Sequence, residues 1–151
     1  MKLLGKILLI CALLMGTYGC EKTQDEPSLI NSIWLEHSLT TGWPVVYFLS
    51  SEDCFLIDAE SSQYIHFTYS YKPQTVYMIL DDTKHTITKD DEVVYTVSKN
   101  YQGTISSDWR FMQLTFHGGV INTIMSPPNQ YNTLSYKVRR AIEHIQAQYY
   151  K

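Results

Sequence analysis

The sequence predicts a mainly β domain, an antiparallel up-and-down barrel of 8–10 short strands with one C-terminal α-helix. Three observations lead to this prediction. Apolar and polar residues alternate with a period of two through most of the chain after residue 30, as in strands with one buried face. Turn-forming residues separate these segments. The period becomes helical only near the C-terminus.

The first 19 residues have the pattern of a secretory signal peptide. Lys2 and Lys6 give it a positive start, and an apolar run extends from Ile7 to Met15. That run is too short to cross the roughly 30 Å hydrocarbon core of a bilayer. It is followed by Gly19 and Cys20, which resembles the lipobox of bacterial lipoproteins. In that family the cysteine becomes the acylated first residue of the mature chain, so the resemblance implies lipidation of Cys20.

Residues 20–27 are predicted to be the acylated cysteine and a polar tether. Three acids and one lysine follow the cysteine, which resembles the acidic tract that directs Bacteroidetes-type lipoproteins to the cell surface. A plain tether is the alternative. Acyl chains such as palmitate contribute ~0.8 kcal/mol per buried methylene, so two or three of them anchor a protein firmly to a membrane. We therefore expect an outer membrane lipoprotein that faces the periplasm or the cell surface.

Residues 28–151 are long enough for a single domain with a core of its own. Without residues 1–19 the chain has 10 basic and 15 acidic residues, a net charge of −5. This acidic balance argues against binding to nucleic acid. Of the three cysteines, one leaves with the signal peptide and Cys20 is expected to be acylated. Cys54 then has no partner for a disulfide, and its strand-like surroundings predict a small buried side chain.

The predicted strands follow one another in chain order. They cover 31–40, 45–51, 54–59, 63–72, 75–81, 85–89, 92–98, 101–106 and 109–117. Segment 63–72 alternates most clearly, with Ile65, Phe67, Tyr69 and Tyr71 on one face. Strands this short and numerous are expected to close on themselves, because closure leaves no unpaired edge.

Residues 114–125 predict the sharpest hairpin of the chain. Glycines 118–119 suit a two-residue turn that needs positive φ. With these glycines at the tip, we expect Phe116 to face Ile121 and Leu114 to face Thr123. The prolines that follow end the sheet, because proline cannot donate a hydrogen bond to a neighbouring strand.

Residues 133–150 predict an amphipathic helix, with Asn132 or Thr133 as its N-cap. Its apolar positions recur at helical spacing, and we expect this stripe to pack on the sheet. The stripe consists of Leu134, Val138, Ala141, Ile142, Ile145 and Tyr149.

The order of these segments resembles the lipocalin-like small barrels of Bacteroidetes lipoproteins. The resemblance covers roughly residues 28–125 and rests on "NSIWLEHS", "HFTYSY" and "GTISSDWRFMQLTF". It is one of architecture, since Ser32 stands where lipocalins carry the glycine of their Gly-x-Trp motif. The resemblance implies a central cavity that binds a small ligand, and it does not imply an enzyme.

Aromatic residues are the one feature that predicts a binding function, because Tyr and Trp combine a large apolar surface with a polar group. Filling of the core is the alternative role for the same residues. The candidates for a ligand-binding barrel interior are Trp34, Tyr47, Phe67, Tyr69, Tyr77, Tyr95, Phe111 and Phe116.

No pattern in the sequence predicts catalysis, a cofactor or a metal site. The five histidines lack metal-ligand spacing, and no nucleophile motif occurs. The leading hypothesis is therefore a non-enzymatic barrel that binds a small apolar or extended ligand. The alternative is a surface glycan- or protein-binding accessory or inhibitor that uses exposed aromatics such as Trp43 and Trp109. Convergent carboxylates in a cleft would favour an enzyme instead.

Overall fold

The structure is a computed structural model that describes residues 27–37, 44–80, 86–89, 92–96 and 98–150, with the backbone alone for 86–89 and 92–96. The predicted signal peptide, Cys20 and Trp43 lie outside the described residues. The strands are β1 Ile33–Glu36, β2 Val45–Phe48, β3 Asp53–Ile57, β4 Tyr64–Lys72, β5 Thr75–Ile79, β6 Thr86–Lys89, β7 Glu92–Thr96, β8 Asn100–Ile105, β9 Phe111–Phe116 and β10 Gly119–Ser126.

Eight of these strands form a closed antiparallel barrel in the order β1-β10-β9-β8-β5-β4-β3-β2. The barrel closes at β1, where Ile33 faces Ser126 of β10 on one side and Tyr47 of β2 on the other. Strands β6 and β7 form a separate two-stranded sheet, so β5 pairs directly with β8. The predicted class, a mainly β, lipocalin-like up-and-down barrel with a C-terminal helix, is confirmed.

Alternate residues of each barrel strand point inward, as the period of two predicts. In β4 the buried residues are Ile65, Phe67 and Tyr69, and their neighbours along the strand are more exposed. Leu29 packs into the same interior from the segment that precedes β1. Further members of the interior cluster are Trp34, Val46, Phe48, Cys54, Leu56, Val76, Met78, Leu80, Tyr101, Ile105, Met112, Leu114 and Ile121.

Helix α1 (Tyr136–Tyr149) packs on the outside of the barrel. Its buried residues Val138, Ala141, Ile142 and Ile145 contact the outward side chains of β1, β2 and β3. The predicted stripe therefore packs on the sheet as expected. The barrel wall that it covers carries Ile33, Val45, Tyr47, Phe55 and Ile57.

The predicted cap of the helix is wrong. Residues Pro128–Thr133 form a 3₁₀ segment, and α1 begins only at Tyr136. Ser135 is the N-cap, and its hydroxyl accepts a hydrogen bond from the Val138 amide. Thr133 belongs to the preceding 3₁₀ segment, where its hydroxyl donates to the Gln130 carbonyl at 2.6 Å.

The predicted register of the β9–β10 hairpin is wrong by two residues. Phe116 pairs with Gly119, and Leu114 pairs with Ile121, so the two-residue turn is formed by residues 117–118. Gly119 supplies the positive φ (153°) while remaining in the ladder. Because the shift is even, each side chain keeps its face of the sheet.

No helix among the described residues combines the length and the apolar character that are needed to cross a membrane.

Candidate functional site

Four of the aromatics proposed for ligand binding belong to the barrel interior. Trp34, Phe67 and Tyr69 are buried in the interior cluster, and Phe116 packs against it while partly exposed. A fifth candidate, Tyr95, lies in β7, where only the backbone is described.

The interior is filled by its own side chains. Trp34, Phe67, Met78 and Leu114, which come from four different strands, have no solvent-accessible surface. Tyr101 joins Phe67 edge-on, with ring centroids 5.5 Å apart, and lies 5.3 Å from Phe116. Gly103 makes room for its paired residue Leu114, since a Cβ added there would lie 3.1 Å from a Leu114 methyl carbon. Such dense packing fits an eight-stranded barrel, whose interior is just wide enough for side chains.

The interior position predicted for Tyr47, Tyr77 and Phe111 is wrong. These residues occupy the outward positions of β2, β5 and β9. Tyr47 is buried beneath α1, whereas Tyr77 and Phe111 remain 40% and 46% exposed. In β2 all four residues are buried because the barrel covers one face and the helix covers the other, so alternation is lost and cannot indicate which face points inward.

A groove of ≈ 370 Å³ lies between α1 and the barrel, and we call it the helix groove. The Gln146 amide donates to the Tyr47 hydroxyl at 3.0 Å, and that hydroxyl donates to Asn31 Oδ1 at 3.3 Å. Tyr150 also donates to Asn31, and Tyr131 completes the lining. Burial raises the pKa of Tyr47 and of Tyr131. The polar groups mostly bond to one another, so this network fastens α1 to the barrel.

Within the described residues, no helix covers the opposite wall of the barrel. We call the outward positions of β5, β8, β9 and β10 the uncovered face. No Asp, Glu, Lys or Arg occurs at these positions, whereas α1 exposes Lys137, Arg140 and Glu143. The uncovered face consists of Thr75, Tyr77, Ile79, Asn100, Gln102, Thr104, Phe111, Gln113, Thr115, Val120, Asn122, Ile124 and Ser126.

A second groove, ≈ 490 Å³ in volume, lies on this face, and we call it the amide groove. Its floor is a row across three strands, in which Thr104 pairs with Gln113 and Gln113 with Asn122. His37 extends the row, because its backbone amide donates to the Asn122 carbonyl at 2.9 Å. The exposed ring of Phe111 also lines the groove.

The two amides of the groove are held in a defined arrangement. Gln113 Nε2 donates to Asn122 Oδ1 at 3.1 Å. The bond leaves the Gln113 carbonyl oxygen as an acceptor and the Asn122 amino group as a donor, on the exposed side chains of two paired residues. The amide groove can therefore accept hydrogen bonds from an uncharged ligand and donate hydrogen bonds to it.

The alternation of β4 predicts a solvated His66 on its polar face, but the side chain has partners there. Its Nε2 lies 2.8 Å from Asp53 Oδ1, and its ring stacks on Phe55 with centroids 5.0 Å apart. The other Asp53 oxygen accepts a hydrogen bond from the Ser50 hydroxyl at 2.7 Å. The carboxylate thus lies between the hydroxyl and the imidazole, so the imidazole cannot activate the hydroxyl as it does in a catalytic triad. This cluster fixes the β2–β3 turn.

Trp109 lies in the turn between β8 and β9 with a left-handed φ of 58°. Its ring packs edge-on against Tyr71 at 5.8 Å and contacts the interior cluster, so it is only partly exposed. In the same turn, hydrogen bonds from the Ser106 hydroxyl and the Arg110 amide lower the pKa of Asp108. This turn therefore supports the end of the barrel more than it offers a free aromatic surface.

Reasoning from the sequence missed the polar residues of the amide groove. Thr104, Gln113, Asn122 and His37 were not among the candidates, because only aromatic residues were considered. A comparison of charge between strand faces would have indicated them, since the outward positions of the last three barrel strands carry amides and hydroxyls without a single charge.

Among the described residues, no three His, Cys, Asp or Glu side chains are grouped in a way that could hold a metal ion. The fold and the two grooves define a closed barrel with its strongest candidate site on the outside. Comparison of the chain with protein-family models, curated proteins and solved structures gave no match.

Proposed function

We propose that this chain is a lipid-anchored lipoprotein of the bacterial outer membrane, with a non-enzymatic barrel that binds its partner through the uncovered face. The anchor rests on the lipobox-like run that ends at Cys20 and on the polar tether after it. The resemblance to Bacteroidetes-type lipoproteins supports a location in the periplasm or at the cell surface.

The observation that carries the binding role is the contrast between the two sides of the barrel wall. Inside, the cluster around Phe67 and Tyr101 is buried and its aromatic rings are in contact. Outside, the uncovered face presents exposed Tyr77 and Phe111 among amides and hydroxyls. Such exposed aromatic rings, with amides and hydroxyls beside them, offer a partner both apolar contact and hydrogen bonds. This contrast favours the surface-binding alternative over a small apolar ligand inside the barrel.

Native mass spectrometry of residues 21–151 after a gentle purification tests whether a ligand is bound inside the barrel or a partner binds to its outer surface. This segment contains every described strand and helix. We expect the mass of the bare chain, because a filled interior leaves no space for cargo. Added mass that is lost on denaturation and kept in a Phe111→Ala variant would instead favour a ligand inside the barrel.

Membrane fractionation of the full chain tests the anchor. Cys20→Ala should leave the precursor unprocessed or move the protein out of its normal membrane fraction. Cys54→Ala is the matched control, because that thiol is buried in the barrel and its loss should leave fractionation unchanged. Equal fractionation of Cys20→Ala and the parent chain would contradict lipid anchoring.

A further inference from the structure

We propose that the amide groove binds an extended, electrically neutral glycan, with Phe111 against one sugar ring and the Gln113–Asn122 pair hydrogen-bonded to hydroxyls. This inference rests on the proposed function of the uncovered face and adds the chemical class of the ligand.

The lining of the groove determines the charge of the ligand. Its polar groups are hydroxyls, amides and the His37 imidazole, without a carboxylate, ammonium or guanidinium group. A strongly anionic or cationic ligand would lose hydration against this lining without meeting an opposite charge in it. The Arg110 guanidinium lies beside the Phe111 ring but outside the lining. A neutral ligand with many hydroxyls loses less hydration free energy, because each hydroxyl that leaves water can find a hydrogen-bond donor or acceptor in the groove.

The Gln113–Asn122 pair matches neighbouring hydroxyls on a sugar. One acceptor and one donor remain on these two paired residues after the amides have bonded to each other. Neighbouring hydroxyls on a pyranose ring can donate to the first and accept from the second at the same time. The bond between the amides fixes both side chains in advance, which lowers the entropy lost on binding.

Phe111 supplies the apolar surface that the C–H face of a sugar ring requires. Its ring is 46% exposed at the side of the polar row. The Arg110 guanidinium carbon lies 6.0 Å from the ring centroid and can shield part of the ring. The exposed remainder of an aromatic ring can pack against a sugar while hydroxyls at the ring edge stay in contact with polar groups.

The spacing of the row favours an extended chain over a single sugar. Thr104, Gln113 and Asn122 lie on three adjacent strands, which are about 4.8 Å apart. This interval is close to the length of one sugar unit in an extended glycan. Successive units can therefore meet successive strands along the row.

A peptide strand is a poorer occupant. Proteins that bind extended peptides through a sheet use an unpaired edge, where the peptide backbone adds to the ladder. Every strand of this closed barrel is paired on both sides. A peptide lying on the amide groove would leave its own backbone groups without ladder partners, whereas a glycan has no such requirement.

Affinity electrophoresis of residues 21–151 tests the inference. The native gels contain one neutral polysaccharide each (a β-glucan, a mannan, a xylan or a galactan), and polygalacturonate serves as the acidic comparison. We expect retardation by at least one neutral polymer and none by the acidic one. Phe111→Ala and Gln113→Ala should each weaken the retardation roughly tenfold. Val120→Ala is the matched control, because Val120 is 51% exposed on the same face but outside the groove.

Thermal unfolding of each variant checks that a loss of retardation does not reflect a loss of folding. Because all three side chains are exposed, we expect the melting temperatures to stay close to that of the parent chain. Migration without retardation in every neutral gel would overturn the inference, as would retardation that Phe111→Ala and Gln113→Ala leave unchanged. If only polygalacturonate retarded the protein and Phe111→Ala abolished that retardation, the ligand would not be a neutral glycan. The proposal that the uncovered face binds a partner would still hold. If only Val120→Ala abolished retardation, the binding site would lie outside the amide groove, which would also contradict the inference.

Discussion

The Tyr69 hydroxyl donates a hydrogen bond to the Ser50 carbonyl at 2.6 Å, from inside the barrel to the turn between β2 and β3. The ring of Tyr69 packs edge-on against Phe48 at 4.9 Å. Burial raises the pKa of this tyrosine to about 12. This inward side chain thus packs in the core and also fastens the turn before Asp53, whose carboxylate contacts His66 of β4.

Tyr69→Phe should lower the free energy of unfolding at neutral pH by about 1 kcal/mol, because the Ser50 carbonyl loses its donor. The same change should weaken the loss of stability in alkali. The folded chain holds the Tyr69 proton up to a pKa of about 12, whereas the usual value is 10.0, so the stabilisation is present below pH 10 and is lost as the pH rises toward 12. Urea unfolding at pH 7 and from pH 10 to 12 measures both effects.

Tyr77→Phe is the control for this experiment, since Tyr77 is 40% exposed on the uncovered face. It should leave the stability at neutral pH nearly unchanged, because its hydroxyl lies on an exposed side chain. Alkaline curves that coincide for Tyr69→Phe and the parent chain would show that Tyr69 does not contribute to the pH dependence.

Cys54 should react with a thiol reagent only when the barrel opens. The side chain is fully buried, and burial raises the pKa of its thiol well above the usual range. Both effects suppress the thiolate that such reagents require. In a chain from residue 21 onward it is the one cysteine, so the labelling rate measured against urea concentration should follow unfolding. Rapid labelling of the native protein would contradict the burial.

Ile145→Ala should lower the free energy of unfolding by about 2–5 kcal/mol, the range for a buried aliphatic side chain cut back to alanine. Ile145 is fully buried where α1 meets the outer wall of the barrel. Arg140→Ala on the exposed side of the same helix is the control and should stay within about 0.5 kcal/mol of the parent chain. Urea denaturation measures both changes. An equal, small effect of the two variants would mean that α1 is not essential to the stability of the barrel.

The local patterns of the sequence predicted the fold well where one face of an element is dry and the other wet. Strand β4 alternates cleanly, and the buried stripe of α1 from Val138 to Ile145 agrees with the prediction. The sequence did not show which residues of β2 point into the barrel, because Val45–Phe48 is buried on both sides and does not alternate. The predicted position of the hairpin turn was wrong, because two adjacent glycines are compatible with two registers. The observed pairing of Phe116 with Gly119 places the turn at residues 117–118.

The candidate site was less predictable than the fold. Aromatic side chains were sought inside the barrel, yet Phe111 and Tyr77 point outward. The row of Thr104, Gln113 and Asn122 exists only through the pairing of three strands. The sequence can show that each outward position is uncharged, but the register across strands brings these particular positions together.

Gly103→Leu distinguishes a filled barrel from one with a ligand cavity. Even a Cβ at Gly103 would lie 3.1 Å from a Leu114 methyl carbon and 3.3 Å from the Met112 sulfur and from Val76 Cβ. A leucine there must displace packed neighbours, so we expect the free energy of unfolding to fall by roughly 1–3 kcal/mol or more. Gln102→Leu, one residue earlier and on the outward face, adds apolar bulk without entering the interior and should have a small effect. Thermal and urea unfolding of the two variants measure the difference. A Gly103→Leu variant as stable as the parent chain would mean that the interior has spare volume, and the search for a ligand would then move back inside the barrel.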